Sequence, residues 1–487
     1  MARSMPDHPF LQGPWEPWPM EGEIFDLAVV QGEVPDDLQG ALFRPGINPQ
    51  YPPCTFPGYS PVIGDGMVHQ FRFDNGIVNY RNRWVRTPKF QLEREHRRAV
   101  FEYEGDFVDW RFTGYEAIKP NPVTDGVSPS VGNVTAWVHG DKIYALSESE
   151  LPFEIDPVSL DTIGTPDWIS EMPVGPRPGQ TVGGFCAHPK NCAATGEMVG
   201  FTMSIVQPYV TVHFFSPDGA LKRSIPIEGP YPAWVHDFMV TDKHVIVPFF
   251  PVTLRPERIP EGRSMMGFEP DLGMHLAVID RATEAITWFR QDWRYSFHPQ
   301  AAVTVGDKII CDVPEFNYPP LPADGHEPGA WKDWPSAKMH RWTLDLGSGG
   351  FHATQTDDRS IEFPWVDQRF SGLAHRYGYA CGASDGGEIV GGFDSIVRYD
   401  LDAGTSRLHT FPAGQVVQEP IFVPRRPDSP EGVGYLVQCV TELATSRSSL
   451  VILDAEGLGD EPVATLALPH RVPASLHGSW MDGRPTG

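Results

Sequence analysis

Short runs of alternating apolar and polar residues, punctuated by Gly, Pro, Asn and Asp, extend along the whole chain. "HQFRFDNGIVNYRNRW" (69–84) is two such runs around Asn75-Gly76, a dipeptide that accepts the positive φ angles of a tight hairpin turn. "VTVHFFSPDGALKRSIPI" (210–227) turns at Ser216-Pro217-Asp218-Gly219, where Pro presets φ and Gly permits a positive one. "AWVHGDKIYALSE", "LAVIDRATEAITWF", "AVTVGDKIICDV", "IVRYDLDAGTSRLHTF" and "SLVILDAEGLGDEPVATLAL" repeat the strand–turn–strand plan. Helical periodicity is scarce; its best example is the short "KFQLEREHRRAV" (89–100).

Many short antiparallel strands imply a sandwich, a barrel or a propeller. A sandwich of 487 residues would need several domains joined by linkers, yet the 50 prolines and 48 glycines are spread evenly instead of collecting in one place. A propeller takes the length as one body over residues 1–487, at roughly 40–50 residues per blade and seven or so blades. The predicted class is therefore all-β. No WD or kelch signature marks the repeats, so the pattern alone does not count the blades.

Composition narrows the function. Apolar residues at 40% are enough for a sizeable core, and a net charge of −25 opposes binding to nucleic acid or docking on anionic lipid. No run approaches the eighteen apolar residues of a membrane helix, and "MARSMPDHPFLQGPWEPW" lacks the apolar centre of a signal peptide. Cys54, Cys186, Cys192, Cys311, Cys381 and Cys439 do not form a disulfide framework and read as reduced thiols. A cytoplasmic enzyme is the expectation; the oligomeric state is not legible.

Four histidines sit in similar apolar settings: "GGFCAHPKN" around His188, "YPAWVHDFMV" around His236, "RYSFHPQAA" around His298 and "VPASLHGSW" around His477. They are separated by 48, 62 and 179 residues, the first two close to one blade. The inner strands of a propeller converge on one axis, so remote residues can meet there. Four imidazoles suit Fe, Zn, Cu or Ni, and ligands from four distant segments describe a site assembled only by the finished fold. Around an octahedral ion they leave two positions for small molecules, which suits Fe(2+) and O2. Metal-bound imidazoles need the second ring nitrogen held; Glu148, Glu362 and Glu419, in weakly polar contexts, are candidates. Among the other histidines, His139 reads as a turn residue, and His244, His326, His352 and His409 as surface positions. His69, His213 and His275 alternate within strands and can face either way.

These residues resemble a family, the carotenoid cleavage oxygenases, non-haem iron enzymes that split carbon–carbon double bonds. "GALFRPGINPQY" (40–51) is similar to the family's opening, and "GDGMVHQF" (64–71) to its Asp-Gly-Asp-Gly-Met segment. "AHPK", "VHDF" and "LHGSW" match ligand motifs. "ALSESELPFEID", "EFP" with "HRYGY", and "QEPIFVPR" match the segments that carry outer glutamates. The resemblance implies a seven-bladed propeller with a loop and short-helix cap over an axial Fe(2+). It implies His188, His236, His298 and His477 as ligands, and Glu148, Glu362 and Glu419 as the outer residues orienting them. Two departures stand out. The family reads His-x-x-Asn-Ala-x-Glu after its third ligand, whereas this chain has Ala301 and Val303 at the polar positions. The residue before the first outer glutamate is Trp in carotenoid cleavers and Lys in lignostilbene and isoeugenol cleavers; here it is Ser147.

"MHRWTLDLGS", "RPDSPEGVGYL" and "ASLHGSW" look closer to the stilbene and phenylpropenoid branch. The implied activity is cleavage of a conjugated C=C bond by O2 to two carbonyl products. The substrate is a small hydrophobic or aromatic alkene of stilbenoid or phenylpropenoid type, with an apocarotenoid as the alternative. Ser147, Tyr59, Phe101, Tyr103 and Phe316 are the candidate substrate contacts. Two other readings are a metal-free propeller that binds a partner on its loop face and a Ca- or Mg-dependent hydrolase. The first leaves the recurrent histidines unexplained; the second wants carboxylate and Asn ligands.

Overall fold

The computed structural model describes residues 4–54, 59, 61–103, 118–172, 184–261, 263–320, 337–384, 392–459 and 461–483. The alternating runs form antiparallel sheets of four to six strands, and seven of these stand as the blades of a propeller. Blades two to six each use one contiguous stretch. They begin with the inner strands Thr135–His139, Lys190–Asn191, Met239–Val240, Ala301–Val305 and Ile361–Val366. The two turns read from the sequence lie where expected. Asn75 and Gly76, at φ +49° and +77°, join Gly66–Asp74 to Ile77–Trp84. The turn at 216–219 joins Val210–Phe215 to Leu221–Ile227.

Blades one and seven are built from both ends of the chain. Ser479–Asp482 adds to Gly40–Ile47 as the inner strand of blade one, with Phe43 opposite Ser479. Val29–Gly32 adds to Ala464–Ala467 at the outer edge of blade seven. The ring is thus closed twice, and the residues just before Ser479 reach the axis only on closure. Arg44, fully buried in the "GALFRPG" motif, ties this seam. Its guanidinium donates to Ser475 Oγ and to the Glu419 carbonyl, both at 2.8 Å.

The one α-helix among the described residues, Pro88–His96, starts one residue before the predicted helical stretch 89–100 and ends four residues short of it. Thr87 caps it by accepting from Phe90 N–H, and Pro88 stands at the first helical position. Lys89 is buried on this helix and bridges Asp65 (2.9 Å) and Glu93 (3.1 Å), which pins the helix to the "GDGMV" segment. Among the described residues no helix is long and apolar enough to cross a membrane. All six cysteines are free thiols.

The candidate metal centre

Each of the seven blades brings one of the predicted site residues to the axis. His188, His236, His298 and His477 lie two or three residues before the inner strands of blades three, four, five and one. Glu362 lies on the inner strand of blade six, Glu419 between the short inner strands of blade seven, and Glu148 just past Lys142–Leu146 of blade two. The 179-residue gap before His477 is therefore three blade steps, the last one across the seam.

The imidazoles form one cluster. Between ring centres, His188 lies 4.5 Å from His236 and from His477, and 5.0 Å from His298. His298 lies 4.9 Å from His236 and 4.7 Å from His477. Behind the cluster stand the glutamates. His298 Nδ1 contacts Glu362 Oε2 at 2.7 Å, and His477 Nδ1 contacts Glu419 Oε1 at 2.9 Å. His236 Nδ1 lies 2.9 Å from Glu148 Oε2, an ion-pair distance at which the ring N–H is poorly aligned on the oxygen. Among the described residues no carboxylate is paired with His188.

This arrangement determines where the lone pairs point. An imidazole that donates Nδ1–H to a carboxylate leaves Nε2 as an acceptor. His236 Nε2 and His298 Nε2 are only 2.9 Å apart, and His188 Nε2 is buried without a hydrogen-bond partner. Burial also lowers the pKa of His188 and His298 well below that of a free histidine, so both rings are neutral and their lone pairs available. Lone pairs converging in a buried site repel unless a cation lies among them. The donor set fits a divalent transition metal and not Ca or Mg, which take oxygen ligands. Burial pushes the Glu362 carboxyl up to about 8 in the metal-free protein; a bound cation would favour the ionised form.

Local backbone features aim the glutamates. The inner strand of blade six is bulged between Glu362 and Trp365, with Phe363 at φ +51°, and Phe363 N–H donates to Glu362 Oε2. Gly478 N–H donates to Glu419 Oε2 at 2.9 Å. A Cβ at Gly478 would stand 2.9 Å from the Phe43 carbonyl, so a larger residue would force this turn off the glutamate.

The other candidates divide. Tyr59, Phe101 and Tyr103 line one small cavity beside Lys89, Asp65 and Glu93. Phe316 belongs elsewhere, to an aromatic series running through Tyr295 and Phe297 to His236, on which Phe297 stacks with ring centres 4.0 Å apart. Ser147 is buried and its hydroxyl is engaged by Asn133. It accepts from Asn133 N–H at 3.0 Å and donates to Asn133 Oδ1 at 3.1 Å.

Other histidines differ from expectation. His139 ends a strand and is buried, held by Asn191 Oδ1 and the Ser216 carbonyl. His244 and His409 are buried, not on the surface, because their strands pack against Thr304 and the segment at Gly459. His352 is exposed, and His326 lies outside the described residues. Sequence reasoning did not single out Trp234, Tyr295, Phe297 and Phe363 around the four histidines, nor Thr135, Lys190, Asp237 and Gln300 beside them. The available signal was position: Trp234 and Phe297 fall one or two residues before a ligand, and Asp237 and Gln300 one or two after.

Comparison with known proteins gives the same direction. The family model described as retinal pigment epithelial membrane protein matches residues 15–482. The chain is 32% identical to the isoeugenol monooxygenase of Pseudomonas putida, over 99% of this chain and all of the relative. The crystal structure of Pseudomonas brassicacearum lignostilbene dioxygenase superposes with a TM-score of 0.86 at 29% identity, covering 98% of this chain and 99% of that one. Cobalt-substituted Synechocystis ACO gives 0.80 at 26% identity, covering 99% and 100%.

Proposed function

The chain belongs to the retinal pigment epithelial membrane protein family of carotenoid oxygenases, and from that premise we propose an iron(II) enzyme that cleaves the conjugated C=C bond of a compact aromatic alkene. Its class, an alkene-cleaving oxygenase with a metal centre, is that of its relatives. The observation that carries the metal assignment is the set of three glutamate-backed imidazoles and His188 converging on one buried point.

His188, His236, His298 and His477 would hold iron through Nε2. Glu148, Glu362 and Glu419 fix the tautomers that turn those nitrogens inward and make the rings more basic. Bound iron(II) would supply the electron chemistry that lets triplet O2 react with a closed-shell alkene. The balance is one C=C bond and one O2 giving two C=O groups, with no external reductant. Trp234, Phe297, Tyr295 and Phe316 form an apolar wall at the site, suited to a flat conjugated substrate and to keeping water from it.

The aromatic substrate class rests on full-length similarity to isoeugenol and lignostilbene enzymes and on this wall. Ser147 does not replace the lysine of phenol-activating relatives, because Asn133 occupies its hydroxyl. A phenolic substrate would bind here without a cation at that position, and activation by a phenolate would be correspondingly weak. We further infer that residues 1–487 act as one propeller domain, since strands from both ends complete its blades, and that the free thiols reflect a cytoplasmic protein.

The test is product analysis after anaerobic iron loading, with isoeugenol, resveratrol and an apocarotenal offered in parallel under O2. Cleavage of one of the two aromatic alkenes to a pair of carbonyl products, faster than the apocarotenal, is expected. Preference for the apocarotenal would transfer the assignment to the carotenoid branch.

A further inference from the structure

The two directions along the axis from the imidazoles differ in chemistry. Residues before the ligands are aromatic: Trp234 packs beside His236, and Phe297 stacks on it. Residues after the ligands line a cavity of about 740 Å³, counted to its open mouth, that touches His188, His298 and His477 at one end. Its walls are residues 237–240 after His236, 299–302 after His298 and 364–366 after Glu362. These segments lead into or lie on the inner strands Met239–Val240, Ala301–Val305 and Ile361–Val366, so the cavity follows the axis. Gln368 and Ser371, half-buried, stand at its far end.

Its lining sets a few polar groups among apolar side chains such as Trp137, Phe238 and Trp365. Thr135 Oγ1 and Gln300 Oε1 are buried in its wall without a hydrogen-bond partner. Lys190 Nζ lies 2.8 Å from the Asp237 carboxylate; the lysine side chain is 24% exposed and the aspartate 2%. The proposed metal assignment makes no use of these four residues. We infer that this axial cavity is the path by which a hydrated divalent cation reaches the four imidazoles, with the Lys190–Asp237 pair at its wall. The inference rests on the metal reading above. A hydrated cation cannot cross the aromatic wall without losing its water, a cost far larger than any apolar contact returns. On the other side, the unpartnered oxygens Thr135 Oγ1 and Gln300 Oε1 can stand in for shed water, while Lys190 and Phe238 N–H hold the Asp237 carboxylate at the wall. The chain's net charge of −25 raises the local concentration of cations at any mouth.

A path changes rates, not equilibria. The experiment uses the full chain freed of metal and Co(II) alone as the probe, followed by its visible absorption, with atomic emission for stoichiometry. Ser371→Trp at the mouth is expected to slow both Co(II) uptake and release to a chelator by about tenfold, leaving Kd and final occupancy unchanged. Gln368→Trp serves as a second obstruction should Ser371→Trp not fold. Phe101→Trp, in the Tyr59–Tyr103 cavity, is expected to leave both rates as in the unaltered protein. Unaltered rates in the folded mouth variants, or slowing by Phe101→Trp instead, would overturn the path. Failure of the unaltered protein to bind Co(II) at all would instead overturn the metal reading on which it rests.

Discussion

Buried histidines occur in two regions of this protein, the propeller axis and the blade interiors, and their partners differ. Inside the blades, His213 is held at both nitrogens, by Thr202 Oγ1 at 3.0 Å and Ser224 Oγ at 2.8 Å. His139 is held at both by Asn191 Oδ1 and the Ser216 carbonyl. Hydroxyls, amides and carbonyls close these rings, and nothing more can bind. On the axis, carboxylates hold His298 and His477 on one side only, Glu148 stands behind His236, and the other nitrogens face one another. His69 sharpens the distinction: its Nδ1 meets Tyr80 Oη and its Nε2 has no partner, yet no carboxylate backs it. A free ring nitrogen alone does not make a ligand. On the axis other imidazoles stand in front of each ring, and behind three of the four stands a carboxylate.

Breaking the axial set should have the largest effect. His236→Ala, His298→Ala or His477→Ala should weaken metal binding by at least about 100-fold and abolish turnover. The circular dichroism of the propeller should be unchanged, since these side chains close no blade. Full metal content in any one purified variant would remove that residue from the ligand set.

Replacing the carboxylates tests the other half of the contrast. Glu419→Gln and Glu362→Gln should each lower metal affinity or activity by about 10- to 100-fold, because an amide can hold the ring but adds no negative charge. Glu148→Gln should cost less than either, since its alignment on His236 is poorer. Equal losses for all three would mean that charge matters and alignment does not. Wild-type affinity in all three would leave the glutamates as ordinary buried carboxylates.

The blade histidines should respond to acid instead of to metal. Burial lowers His213 to about 3, whereas the unfolded chain takes up that proton near 6.5. Stability from this site is therefore full above 6.5 and lost as pH falls toward 3. Within that window one proton corresponds to a slope of about 1.4 kcal/mol per pH unit. His213→Gln should flatten the urea-unfolding profile by about that slope and leave bound metal unchanged. A change in metal content would erase the division between the two regions.

Much of this was legible in the chain. Alternation and the Asn75-Gly76 and 216–219 turns fixed the strand class, because such turns depend on local φ preferences. The four axial histidines could be grouped because each interrupts an apolar run. The blade count was not legible from pattern alone, since blades one and seven draw strands from both ends, and pairing across more than 430 residues leaves no local signal. Nor could His139, His244 and His409 be placed, because whether a strand residue faces a neighbouring blade depends on packing between sheets. The engagement of Ser147 by Asn133 was equally hidden, as both lie just beyond the paired strands Thr135–His139 and Lys142–Leu146 and meet only in the fold.

The most direct test of the central claim is X-ray absorption on the full chain loaded anaerobically with one equivalent of iron(II). The arrangement of His188, His236, His298 and His477 predicts one tightly held iron with four imidazole ligands. Failure to retain stoichiometric iron, or a coordination shell dominated by carboxylate or thiolate, would contradict it.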